Sequence, residues 1–188
     1  IGKQAKAKMD NSFAFGDSTT ASGIDSYAFG RGAKASGQGS YAFGSRGRSY
    51  AGNLTSNFTL ASGINAFAIG LGATASGLGS VAIGTNSTAS ERYSVAIGVE
   101  STSSSIGGTA LGYHCTASDN HSNVAMGEYA HATGYAAIAG GFWSVAAGAS
   151  STAFGNTAIA VGNQATAIGY YSYAQSHASL VLGRYNVI

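Results

Sequence analysis

Thr74-Ala75-Ser76-Gly77, then Ser80-Val81-Ala82-Ile83-Gly84, then Ser87-Thr88-Ala89-Ser90-Glu91: these stretches decide the fold of this 188-residue chain. Each ends seven residues after the last, on glycine or on a residue standing in for it. Working outward, Gly16, Gly23, Gly30, Gly37 and Gly44 form one register, and Gly63 through Asp119 a second. After one extra residue, Gly127 through Gly183 form a third. Two kinds of seven alternate, so the repeat is fourteen. A period this short and persistent specifies a solenoid.

Each seven holds about five residues that can be extended plus a two-residue corner, which suits a short strand and leaves no room for a helix. Glycine every second turn would cost a helix about 1 kcal/mol at each position. The pattern therefore predicts an all-β parallel β-roll of 14-residue turns, with two short strands per turn. Residues 1–9 read as a lead-in, and 10–188 as one rod-like domain with an irregular turn or loop at about 45–60.

Strand side chains alternate faces. In Ser80-Val81-Ala82-Ile83-Gly84, one face carries Ser, Ala and Gly, and the other Val and Ile. The alanine faces of the two strands suit a narrow lumen, which sends the large residues outward on one side. Phe15, Phe29, Phe43, Ile69, Val81, Ile83, Val95, Ile97, Leu111 and Met126 then form an apolar strip. A soluble monomer does not tolerate so long a strip, and copies of the same chain around a symmetry axis are its simplest cover. The inverse assignment, with Val and Ile in the lumen, would allow a monomer.

Ser80-Val81-Ala82-Ile83-Gly84, Ser94-Val95-Ala96-Ile97-Gly98 and Ala66-Phe67-Ala68-Ile69-Gly70, with the Thr-Ala-Ser-Gly pieces at 20–23 and 74–77, resemble the head repeats of trimeric autotransporter adhesins, the YadA-like family. The resemblance covers about residues 10 to 183. It implies a left-handed parallel β-roll, a homotrimer, exposure on the bacterial surface, and attachment to a host extracellular matrix protein, cell or surface glycan. The neck motif that follows such heads is absent here. The ending Ser179-Leu180-Val181-Leu182-Gly183 also resembles head-like repeats of phage tail fibres, which would recognise a bacterial surface receptor. The stretch reads as a piece of a longer exported chain, without direct membrane contact of its own.

Nine basic residues face seven acidic ones, and seven of the nine lie in the first fifty positions. That clustering admits an anionic-ligand patch, although Asp10, Asp17 and Asp25 among them favour scattered solubilising charge. Without aromatic interleaving, nucleic-acid binding is not expected. Cys115 is the sole cysteine and is expected to be a small lumen residue. No catalytic constellation, cofactor motif or metal set stands out. His114, Cys115 and His121 lack a fourth ligand and straddle a register shift at Asp119–Asn123. The chain is read as a non-enzyme.

One break in the pattern marks a candidate ligand surface. Phe142 and Trp143 occupy a corner that elsewhere carries glycine or polar residues, and the neighbouring polar stripe turns apolar at Val145, Ile159 and Val161. Either a ligand or a neighbouring subunit or domain would cover them. A third reading, ice binding, rests on the column Thr74, Thr88, Thr102 and Thr116, which Lys34, Leu60, His131 and Tyr173 interrupt.

Overall fold

The computed structural model describes residues 1–49, 51–119 and 121–186. The chain divides into two compact units, Ile1–Glu100 and Ser101–Ile188. In the first, two-residue strands such as Thr74–Ala75 and Thr88–Ala89 stack in parallel as one sheet, here called the hydroxyl sheet. Three-residue strands such as Phe67–Ile69, Val81–Ile83 and Val95–Ile97 stack as the other, the aliphatic sheet. Val81 pairs with Phe67 and with Val95, so one turn takes fourteen residues. The second unit winds the same way, with Thr116–Ala117 and His131–Ala132 in its hydroxyl sheet, and Val124–Met126 and Ile138–Gly140 in its aliphatic sheet. The chain is an all-β parallel solenoid with two short strands per turn.

The lumen is alanine. Ala68, Ala82 and Ala96 from one sheet and Ala75 and Ala89 from the other are wholly buried, while Val81 and Ile83 stay half-buried on the outer side. Only small side chains let two sheets approach this closely. Each buried methyl contributes on the order of 1 kcal/mol, so the ladder hydrogen bonds and outward columns share the work of stability. The Val81 amide donates to Ser94 O at 2.9 Å and the Thr74 amide to Ser87 O at 2.8 Å, one turn to the next. The serine that precedes many of the aliphatic strands has a local task at some turns. Ser26 and Ser94 each donate a hydroxyl hydrogen bond to the carbonyl three residues back, Gly23 O and Glu91 O, both at 2.7 Å.

The two corners differ, which explains where glycine is replaceable. After the aliphatic strand, Gly70, Gly84 and Gly98 have φ between 125° and 133°, and a Cβ on Gly84 would lie 2.1 Å from Gly98 O. Every turn has glycine there, from Gly16 to Gly183. At the other corner Gly63 and Gly77 have ordinary φ, and that column is the one that admits Glu91, Ser105, Asp119 and Ser176. The backbone conformation, and not closeness alone, makes the first column obligatory.

Three local features interrupt or extend the plain repeat. Lys6–Ala7, read as lead-in, pairs in parallel with Thr20–Ala21 and belongs to the hydroxyl sheet. The irregular turn or loop expected at about 45–60 has an ordered core. Arg46–Arg48 and Leu54–Phe58 form an antiparallel hairpin, and the roll resumes beyond it with Tyr41 paired to Phe67; Tyr50 of this stretch lies outside the described residues. Near Asp119–Asn123, Thr109 pairs with Val124, one residue more than a standard turn. Asn123 takes the buried place usually held by serine. It donates to Ser118 O and Ala132 O, and accepts the Ala137 amide at 3.0 Å. Asn120 lies outside the described residues.

Candidate binding surfaces

Period two sends the first and third residues of each aliphatic strand outward. In the first unit this places Phe15, Phe29, Phe43, Ile69, Val81, Ile83, Val95 and Ile97 on one face, in registered columns. Phe29 stacks on Phe43 with ring centroids 4.8 Å apart, and Tyr27 on Tyr41 at 5.1 Å. Leu111 and Met126 lie in register on the same kind of face in the second unit. Vertical stacking covers only part of each side chain: Phe15 is 48% and Ile97 38% exposed.

Phe142 and Trp143 sit at the corner after the strand Ile138–Gly140. Trp143 has φ 53°, a left-handed conformation that bulky residues avoid, and is 54% exposed. A ladder bond holds it, its amide donating to Glu128 O at 2.9 Å. The same corner position carries Tyr129 (φ 54°), Tyr171 (φ 52°) and Tyr185 (φ 57°). Trp143 packs on Tyr129 at 5.3 Å and on Phe142 at 6.2 Å, and Tyr129 stacks on His114 at 5.2 Å. Tyr171 stacks on Tyr185 at 5.6 Å. Val145 and Ile159 are registered neighbours in the hydroxyl sheet, flanked by His131 and Tyr173, and Val161 is exposed one residue past that strand. The sequence marks Phe142 and Trp143 as a break in the pattern but not Tyr129, Tyr171 and Tyr185, and it shows His114 only as a corner histidine. Reading the corner as its own column, with the one-residue shift allowed for, would have found the ridge.

The other sequence candidates are dispersed. Cys115 is buried in the lumen, and burial pushes its thiol up to about 11. His114 lies on the aromatic ridge, whereas His121 meets Tyr135 edge-on at 5.6 Å. The threonine column is short: Thr74 and Thr88 pair beside Leu60 in the first unit, and Thr102 and Thr116 beside His131 in the second.

A parallel solenoid with an alanine interior, and with its aromatic and charged side chains on outward columns, is a scaffold for presenting surface. Its family follows from comparison with known proteins: the family model for the YadA head domain repeat (2 copies) matches residues 21–46, 61–87, 89–114, 146–172 and 160–184. These segments span more than half of the chain, and the chain belongs to that family, whose members are surface-exposed bacterial adhesins. No curated protein matches it.

Proposed function

We propose that three copies of this chain pack their aliphatic faces around a common axis, and that the resulting head attaches a bacterium to host matrix proteins, cells or glycans. The observation that carries this reading is the registered strip from Phe15 to Ile97, continued in kind by Leu111 and Met126, which the monomer leaves half-covered. A three-fold assembly repeats every outward feature three times, so weak contacts gain avidity. The ligand surface we assign is Phe142, Trp143, Val145, Ile159 and Val161, extended by Tyr129. Aromatic side chains held by a rigid ladder bind with little entropic cost.

The test is binding of the fluorescently labelled chain to immobilised matrix proteins and to a glycan array, with Trp143→Asn beside it. Asparagine suits the left-handed corner, so the fold should survive. Loss of at least tenfold in apparent affinity supports the assignment. Undiminished binding by the variant would contradict it, and failure of the parent chain to bind any surface would contradict the adhesive reading.

A further inference from the structure

The hairpin Arg46–Arg48/Leu54–Phe58 creates a pocket that the repeat alone does not have. It leans on the aliphatic-strand corner of the first unit: a Cβ on Gly32 would lie 2.3 Å from the Phe58 ring, and one on Gly47 3.2 Å from Gly72 Cα. Asn86 Nδ2 donates to Arg48 O at 2.7 Å and fastens the hairpin to a later turn. Between hairpin and corner lies a cavity of about 500 Å³. Arg31, Lys34 and Arg46 line it, with Asp17, Ser18 and the apolar edge of Leu54 and Phe58.

The cations are organised. The Arg46 guanidinium carbon lies 5.4 Å and Lys34 Nζ 6.0 Å from the centre of the Phe58 ring, and Arg46 Nε donates to Thr55 O at 2.7 Å. The acidic residues that made the N-terminal charge look scattered are sorted by the fold. Asp10 and Asp25 lie at the opposite corner, where the Asp25 amide donates to Asp10 O and its carboxylate accepts from Asn11 Nδ2 at 2.9 Å. Of the three, only Asp17 lines the pocket.

We infer that this pocket binds an acidic saccharide, a sugar ring bearing sulfate or carboxylate, between the hairpin and the corner. Three cations answer the acid group, and guanidinium suits its planar or tetrahedral oxygens. Asp17 would repel a bare anion, but it accepts hydrogen bonds from ring hydroxyls, with Ser18 beside it. The apolar edge meets the ring's carbon face. The volume falls in the range of small-ligand sites. The site uses no residue of the Trp143 surface and stands apart from that assignment.

The test measures binding of a fluorescein-labelled heparin hexasaccharide to the 188-residue chain, with the desulfated hexasaccharide and inorganic sulfate as competitors. The variants are Arg31→Ala, Arg46→Ala, Asp17→Asn, the remote Lys8→Ala, and Trp143→Asn. We expect Arg31→Ala and Arg46→Ala each to weaken hexasaccharide binding at least fivefold, and Lys8→Ala to leave it within twofold. Asp17→Asn separates a sugar site from a bare charge patch: hexasaccharide affinity should fall while competition by inorganic sulfate improves. Equal competition by the desulfated sugar, equal losses for Lys8→Ala and Arg46→Ala, or tighter binding of both ligands by Asp17→Asn would each overturn the proposal. Loss of hexasaccharide binding in Trp143→Asn alone would transfer the site to the aromatic ridge.

Discussion

Replacing Gly84 by alanine tests the stacking on which every outward column depends. The added Cβ would lie 2.1 Å from Gly98 O and 2.7 Å from Gly98 C, against an ordinary contact that begins at 3.4 Å. The next turn must therefore retreat by about 1.3 Å. The Gly98 amide bond to Ile83 O and the Glu100 amide bond to Thr85 O, both 2.8 Å, would then stretch beyond hydrogen-bonding range. Two lost ladder bonds cost about 1–3 kcal/mol each, and alanine at φ 127° adds about 1–3 kcal/mol of backbone strain. The expected loss is about 3–9 kcal/mol, read as a lower urea midpoint by circular dichroism and as faster hydrogen exchange at Gly98 and Glu100. The control is Gly52→Ala in the hairpin, where nothing lies within 4 Å and only its φ of 80° opposes the change; it should cost about 1 kcal/mol. A Gly84→Ala loss no greater than that of Gly52→Ala would refute the reasoning.

Three further outcomes follow from packing, burial and strain. Ile97→Asp gives up the part of Ile97 left exposed in the monomer, 38%, or about 0.6–1.1 kcal/mol per protomer if a partner covers it, plus the cost of desolvating a carboxylate; it should convert the trimer to monomer in sedimentation velocity without changing the monomer's circular dichroism. Cys115 has its thiol raised from 9.0 to about 11 by burial, so the unfolded chain ionises first, and stability is full below pH 9 and falls as pH rises toward 11. Cys115→Ala should flatten that part of the pH profile, and the native thiol should resist a thiol reagent until the chain unfolds. Trp143→Asn should leave the urea midpoint unchanged or slightly raised, because it relieves a left-handed tryptophan.

The coil was legible because its physics is periodic. Ser80-Val81-Ala82-Ile83-Gly84 already separates a small inner face from a large outer one, and fourteen-residue spacing alone aligns Val81 with Phe67 and Val95. What escaped the sequence was whatever the period does not govern. The spacing failure after Gly44 announced an insertion, but strand pairing between Arg46–Arg48 and Leu54–Phe58 is a non-local contact with no repeat to mark it. The placement of charge is hidden for the same reason: Asp10, Asp17 and Asp25 are neighbours along the chain, yet the winding sends Asp10 and Asp25 to one corner and Asp17 to the other. The aromatic ridge was partly visible at Phe142 and Trp143, whereas Tyr129 and His114 were hidden by the one-residue shift that displaces their column. The difference between the two glycine columns needed backbone angles, because sequence shows which positions accept Glu91 or Ser105 without showing that φ decides it.

The central claim is that the outward Phe, Val and Ile columns are covered by further copies of the chain. Solution mass by light scattering on the purified 188-residue chain, over a range of concentrations, tests it most directly. The account predicts a trimer of three times 18.6 kDa, about 56 kDa. A stable, soluble monomer at 18.6 kDa would contradict it, and would mean that the strip from Phe15 to Ile97 stands open to water or awaits a different partner.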